Sequence, residues 1–402
     1  MSNPEVVLAF SGGLDTSFCV PYLREGGYDV VTLFVDTGGV GEEERRYIEA
    51  RSKELGAVAH VTEEGGEALW REVVVPLVWG GALYQGQYPL LCSDRYLIAR
   101  RGLELAARRG TQLFAHGCTG MGNDQVRFDA TVLALGDFKI LAPIRDLQSQ
   151  SNVRAYEQTF LEERGFQVRP KTGKYSINTN LLGVTASGAE IDAFAPPGPE
   201  TYTISAIPSA WPRVPRRVRI TFEQGVATAL DGERLPGAGL LAQLNRLFGA
   251  YGVGRGIYTG DTTIGLKGRI VFECPGLTAL LTAHRALGEA VLTVHQNRFR
   301  RQAAERWTEL VYQGLFYEPL KRDLEALLQS SQRFVSGTVT VETSGGTCHA
   351  VAIDSEHILR NARAVYAQSA DWGAAQAEGF IQLFAQPTVL SARVNPVDRL
   401  GR

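Results

Sequence analysis

The sequence predicts an α/β protein. An N-terminal portion built on a parallel sheet is followed by a larger α+β portion and a C-terminal helical segment. Three observations carry this. Apolar runs at residues 6–10, 30–35, 57–61 and 113–116 alternate with helix-like stretches, an order that places strands side by side with helices on both faces. The first run ends in the tight turn Ser11-Gly12-Gly13, and a helical pattern starts directly after it. From about Leu141 the alternation weakens, and β-rich runs such as 218–222, 270–273 and 337–342 take over. The expected division is 1–165, a Rossmann-like nucleotide-binding domain; 166–365, the α+β domain; and 366–402, a C-terminal helix and tail.

Taken in order, residues 14–25 read as the first helix, with Leu14, Phe18 and Tyr22 apolar and Gly26-Gly27 as its stop. Residues 42–55 are charged and helical in pattern. Residues 68–83 are apolar and aromatic, and Pro76 and Gly80-Gly81 are expected to break them. Residues 93–109 read as a helix with Ser93-Asp94 as its N-cap. A stretch at 152–164, bracketed by 142–144 and 171–173, reads as a helix bridging the two domains. Further helices are expected at 240–248, 277–285 and 303–329, and loops at 195–199 and 208–215. Near the end Phe380, Ile381, Leu383 and Phe384 share one helical face, with Pro387 and an extended tail beyond.

Composition bounds the function. At 402 residues, two domains are the default. A net charge of −2 argues against a nucleic-acid surface, which needs a basic excess. The five cysteines are scattered without a C-x-x-C, so neither zinc nor a redox pair is suggested, and the odd count suits a reducing compartment. No basic-then-apolar leader and no uncharged apolar run of about 18 residues occurs, so neither a signal peptide nor a membrane span is expected. The expected location is cytoplasmic.

Strand, glycine turn and helix N-terminus together hold anions, because unpaired N–H groups and the helix dipole point at the same spot. Ser11, Thr16 and Ser17 add hydroxyls there. Asp15 would repel phosphate unless a cation lies between them, which implies Mg²⁺. The pattern is neither G-x-G-x-x-G nor a Walker A loop. A second informative stretch, residues 115–129, packs three glycines into six residues and then several polar side chains. By composition alone it is a flexible surface loop.

The order of residues adds more. Ser11-Gly12-Gly13-Leu14-Asp15-Thr16-Ser17 resembles the pyrophosphate loop of the N-type ATP pyrophosphatases. Its ending, together with Ala115-His116-Gly117-Cys118-Thr119-Gly120-Met121-Gly122-Asn123-Asp124-Gln125-Val126-Arg127-Phe128, resembles the argininosuccinate synthase family. Residues 174–185, 251–256 and 264–276 agree, so the resemblance covers most of the chain and points to a divergent bacterial branch. It implies a C–N ligase of arginine biosynthesis that uses ATP and Mg²⁺, acts on L-citrulline and L-aspartate through a citrullyl-AMP intermediate, and forms homotetramers through C-terminal segments. By resemblance, Ala9, Phe10, Ser11, Gly12, Gly13, Leu14, Asp15, Thr16, Ser17, Val35 and Gly117 contact ATP. Tyr88, Ser93, Asn123, Arg127, Ser176 and Thr185 contact citrulline, and Thr119, Asn123 and Asp124 contact aspartate. Asp15 and Asp124 are the charged candidates for a catalytic role, Asp15 also as a metal ligand through Mg-ATP.

Each has a plainer reading. Tyr88 could be core, Arg127 a surface charge, Ser176 a cap, and Cys118 loop packing. His116 is either a general base or the residue that ends the strand and orients the loop. Two positions depart from the family pattern: Gly260 stands where it has Glu, and Phe272 where it has Tyr. Asp261 is then the nearest candidate for the citrulline amino end. Met121 stands where many members have Lys. A tRNA thiolase would want a basic face and paired cysteines; GMP and NAD synthetases share the first loop only; a non-catalytic nucleotide-binding module is the remaining alternative.

Overall fold

Val6, Val7 and Leu8 are fully buried, so the strand that carries them, β1 (Glu5–Ala9), lies at the centre of its sheet with both faces covered. The computed structural model describes residues 3–147, 152–169 and 174–395. Around β1 stand β2 (Asp29–Asp36), β3 (Ala59–Glu64), β4 (Leu113–Ala115) and β5 (Lys139–Leu141), in the order β3-β2-β1-β4-β5 and parallel throughout. The chain winds from β1 to β2 on one side and returns to β4 on the other. The switch point of the sheet therefore lies between the ends of β1 and β4, where doubly wound sheets bind ligands. The connecting helices are α1 (Leu14–Glu25), α2 (Glu42–Glu54), α3 (Gly66–Leu69), α4 (Val75–Gly80), α5 (Asp94–Arg108), α6 (Asn123–Leu135), α7 (Pro143–Asp146) and α8 (Val153–Glu163).

Three expectations for this half are corrected, and one strand is added. Pro76 does not break its helical stretch: a π turn, Trp70–Val74, runs directly into α4, so the chain absorbs the missing N–H within a locally wider helix. Ser93 is not a side-chain cap; it has helical backbone angles and its hydroxyl donates back to the Leu90 carbonyl at 2.8 Å. The helix after residue 152 does not bridge domains. It lies on α1, with the Phe18 and Phe160 rings 4.8 Å apart, in one core with Val6, Leu8 and Leu161. The fifth strand, β5, was too short to read. The bracketing turn at 171–173 lies outside the described residues.

The second half begins with the hairpin β6 (Ser176–Asn180) and β7 (Gly183–Ser187). Then follow β8 (Arg216–Glu223), β9 (Val226–Leu230), β10 (Glu233–Arg234), α9 (Gly237–Gly249), β11 (Arg255–Asp261), β12 (Lys267–Glu273), α10 (Pro275–Val291), α11 (Val294–Gln313), α12 (Pro319–Ser331), β13 (Gly337–Thr343), β14 (Cys348–Asp354) and α13 (Ala374–Val394). They make two antiparallel sheets, β11-β12-β7-β6 and β10-β9-β8-β13-β14. The single helix expected at 303–329 is two helices, because Gly314 ends the first with φ +99° and Pro319 opens the second. Pro387 does not end the last helix, which continues to Val394; the tail from 396 on lies outside the described residues. The chain forms two compact units, Met1–His357 and Ile358–Arg402. The first contains all three sheets; the second carries α13, in which no residue is buried.

Within the first unit Glu273 ties the end of β12 to the segment before β8. Its carboxylate accepts from the backbone N–H of Thr203 at 2.6 Å, Ile204 at 3.2 Å and Ser205 at 2.8 Å. His284 of α10 is buried against Phe222, its ring N–H donating to Gln332 at 2.8 Å. Burial, then the Arg300 charge, depress its pKa to about 3. The folded value is thus below the unfolded one, so the unfolded chain takes the proton first. Stability is full above about pH 6.5 and falls as the pH drops toward 3. Between pH 7 and pH 5 the wild type should lose roughly 2 kcal/mol through this group. Melting curves of His284→Gln should show a correspondingly flatter pH dependence.

Candidate functional site

The turn after β1 is shaped by Gly12, whose φ of +72° few other residues adopt. A side chain there would also meet Ile48 of α2 at 3.1 Å. Behind it α1 begins at Leu14, with Gly13 as an N-cap that offers no side chain of its own to the first-turn N–H groups. Thr16 closes the loop: its hydroxyl accepts from the Ser11 N–H at 3.3 Å and lies 3.2 Å from the Ser11 hydroxyl. Ser17 is buried and donates to the Gly12 carbonyl at 3.3 Å. Ala9 and Phe10 are buried at the end of β1, and Val35 is buried at the end of β2.

Gly117 brings the second loop onto this one. A Cβ at Gly117 would lie 3.1 Å from the Thr16 methyl and 3.3 Å from the Thr16 nitrogen. The backbones of the two glycine loops are therefore in contact across the switch point, as the sheet order requires. The stretch 115–129 is a short loop followed by a helix, not a surface loop: α6 starts at Asn123, with Gly122 as N-cap. Asn123, Asp124 and Arg127 accordingly share the first turns of one helix, while Thr119 stays exposed in the loop.

His116 orients this loop. The Cys118 N–H donates to Nδ1 at 3.2 Å, which leaves the ring proton on Nε2, and that N–H donates to Asp129 at 2.8 Å. With both nitrogens engaged and the ring buried, His116 has the anchoring role and not that of a general base. Burial works to raise the Asp129 pKa, but hydrogen bonds from His116 and Arg145 outweigh it and hold the carboxyl below its usual range. Burial pushes the Cys118 thiol up, so it stays protonated and packs the loop.

Asp124 is the hub of the charged part of the site. It accepts from Arg95 Nε at 3.0 Å and from Arg127 at 2.8 Å. These two guanidiniums overcome the desolvation that would otherwise raise its pKa. Arg95 also donates to Asp94 at 2.8 Å and to Asn178 of β6 at 3.1 Å. Arg127 is buried and donates twice to the Tyr312 carbonyl, at 3.1 and 2.8 Å, so it is no surface charge. Asn123 donates to the Tyr312 hydroxyl at 3.2 Å and accepts from the Thr263 N–H at 3.0 Å. Tyr88 is buried in an aromatic cluster, 5.5 Å from the Tyr258 ring and 5.9 Å from those of Tyr312 and Phe272.

The remaining candidates come from the turn before α5 and from β6, β7 and β11. Ser93 is fully buried and bonded internally. Ser176 is exposed on β6, and half-buried Thr185 on β7 pairs with Phe272 of β12. The Asp261 carboxylate is exposed and engaged by Lys267 and by Gln85 at 2.9 Å, so in this arrangement it does not point to an ammonium site.

Sequence reasoning missed several members. Arg95, Asp94, Asn178 and Tyr312 come from α5, β6 and α11, far apart in sequence. The one available signal was the Asp94-Arg95 pair inside an otherwise apolar run. Glu157 of α8 was also missed. It is buried beside Asp15, and burial together with the Asp15 carboxyl pushes its pKa up to about 8; burial likewise raises Asp15. Hard oxygen donors at the head of α1, with carboxyls that resist ionising side by side, suit Mg²⁺ accompanying a phosphate. Among the described residues no group of three or more His, Cys, Asp or Glu forms a protein-only metal site.

Comparison with known proteins bears on the whole chain. The family model described as arginosuccinate synthase N-terminal HUP domain matches residues 5–166, and the arginosuccinate synthase C-terminal domain model matches residues 175–391. Argininosuccinate synthase of Xanthomonas campestris is 60% identical over 396 residues, 98% of this chain and 100% of that protein. That of Xylella fastidiosa is 59% identical, covering 98% and 99%. That of Methanocaldococcus jannaschii is 40% identical over 364 residues, covering 88% and 89%.

Proposed function

Because the chain belongs to the argininosuccinate synthase family, we propose that it joins L-citrulline to L-aspartate with cleavage of ATP to AMP and pyrophosphate, the ligation step of arginine biosynthesis. The observation that carries this reading is the contact between the Gly117 and Thr16 backbones. In this reading it brings a phosphate-binding turn and a substrate-bearing loop together.

In this reading the N–H groups at the head of α1 and the hydroxyls of Ser11, Thr16 and Ser17 hold the ATP phosphates, with Ala9, Phe10, Val35 and Gly117 as backbone contacts. Asp15 would hold Mg²⁺ accompanying ATP, and the ion would supply charge neutralisation there. The citrulline ureido oxygen attacks the α-phosphorus and pyrophosphate leaves. The aspartate amine then attacks the ureido carbon of citrullyl-AMP, AMP leaves, and the amine gives up a proton. Arg127, Asn123, Tyr88, Ser176 and Thr185 place citrulline; Thr119, Asn123 and Asp124 place aspartate, with Asp124 facing its ammonium. No protein nucleophile is needed, in keeping with the protonated Cys118. Placement and charge complementarity do the work.

The domain division 1–165, 166–365 and 366–402 belongs to the same reading, supported by the change from a parallel sheet to antiparallel ones after β5. So does a homotetramer, supported by α13: Phe380, Ile381, Leu383 and Phe384 are 60–76% exposed, a face that calls for a partner surface. The same reading carries a cytoplasmic location for the enzyme; no helix among the described residues is long and apolar enough to cross a membrane.

Pyrophosphate release from ATP tests the reaction. It should require citrulline, AMP turnover should require aspartate as well, and RNA should change neither. Citrulline-independent release would overturn the reading.

A further inference from the structure

Gly260 is a strand residue with a neighbour where its side chain would be. A Cβ there would lie 2.3 Å from Gln85 Oε1 and 2.5 Å from the Tyr258 hydroxyl oxygen. Gln85 reaches this spot from a tight turn, residues 84–88, that closes through Tyr84 N–H to the Tyr88 carbonyl at 2.9 Å and Tyr88 N–H to the Tyr84 carbonyl at 3.0 Å. Its own φ is +50°, a left-handed conformation uncommon for a side-chain-bearing residue.

The amide of Gln85 is used at both ends. Oε1 accepts from the Tyr258 hydroxyl at 2.9 Å and from the Asp261 N–H at 3.2 Å, and Nε2 donates to the Asp261 carboxylate at 2.9 Å. Side chain and turn together fasten the β11–β12 hairpin to the 84–88 segment, with the Tyr84 hydroxyl adding a bond to the Asp261 carbonyl at 3.2 Å. The same hairpin reaches the other side of the site, where Thr263 N–H donates to Asn123. Its Tyr258 and Phe272 rings form the wall on which Tyr88 rests.

We propose that Gln85 is a positioning residue for the amino-acid substrates: by occupying the space that Gly260 leaves open, it fixes the hairpin that sets Tyr88 and Asn123. The proposal rests on the ligase reading above and deepens it. It also replaces Asp261 as the group of interest at this corner, since that carboxylate serves as Gln85's anchor. A strained turn is tolerated because the amide has three partners at its tip.

The test is steady-state kinetics of the full-length protein. Gln85→Ala and Gly260→Ala should each raise the citrulline KM about tenfold, with kcat within about twofold and the ATP KM unchanged. The double variant should show less than the sum of the two effects, because both remove the Gln85 contact, while the methyl added at position 260 also presses on the Tyr258 hydroxyl. Gln85→Glu should also raise the citrulline KM, since it sets a carboxylate against Asp261. Adding Asp261→Asn to it reverses donor and acceptor and should restore the KM. Wild-type citrulline KM in Gln85→Ala, additive effects in the double variant, or no rescue by the swap would overturn the proposal. A wild type without citrulline-dependent pyrophosphate release would instead overturn the ligase reading itself, so the two failures are separable.

Discussion

Asp124→Asn is expected to lower kcat/KM for aspartate by roughly a hundredfold to a thousandfold, the loss that follows removal of one charge-matched contact in a transition state. The carboxylate is held ionised between Arg95 and Arg127. The asparagine keeps the shape, one acceptor and the fold, but not the charge that faces an incoming ammonium. The first half-reaction does not involve that ammonium. Citrulline-dependent release of pyrophosphate in a single turnover should therefore stay within about tenfold of wild type while argininosuccinate formation falls. Equal losses in both halves would mean that Asp124 acts through Arg127 on citrulline and not on aspartate. Because Asp124 and its two arginines form one network, Arg95→Ala should not add to the defect in full.

How much of this was legible beforehand depends on sequence distance. Four of the five parallel strands were readable because each centres on a short apolar run, and the phosphate turn because strand, glycines and helix are contiguous. The substrate loop was readable as a motif but not as a structure. Its three glycines hid the start of α6 at Asn123, which puts Asn123, Asp124 and Arg127 on one helical face. Arg95, Tyr312 and Gln85 were not legible. Each acts through a contact between segments well apart in sequence, 29 residues for Arg95 with Asp124, 185 for Arg127 with the Tyr312 carbonyl and 173 for Tyr258 with Gln85. Local pattern has no access to such pairings. Pro76 and Pro387 misled for the opposite reason: a local rule was applied where the surrounding helix absorbs the proline.

Gly117→Val tests the apposition of the two loops directly. The glycine's backbone angles are open to other residues, so the effect is steric and not one of strain. The new Cβ would already be 3.1 Å from the Thr16 methyl, and the two γ-carbons of valine extend past it toward the first turn of α1. That turn cannot retreat freely, because Ser17 is buried and α1 is packed through Phe18 against Phe160. The 116–122 loop must move instead, and its anchor through His116 and Asp129 resists. A shift of about 1 Å between the phosphate turn and the substrate loop should cost roughly a hundredfold in kcat, because in-line attack on the α-phosphorus tolerates little misplacement. The ATP KM should rise as well. Stability should fall by only about 1–3 kcal/mol, the usual cost of overpacking one site, so the loss of turnover should persist well below the melting temperature. Gly239→Ala, where a Cβ would meet nothing within 4 Å, serves as the control and should leave the ATP KM and kcat at wild-type values. A Gly117→Val enzyme with normal kcat would mean that the two loops serve separate clefts, and the single-pocket mechanism would have to be abandoned.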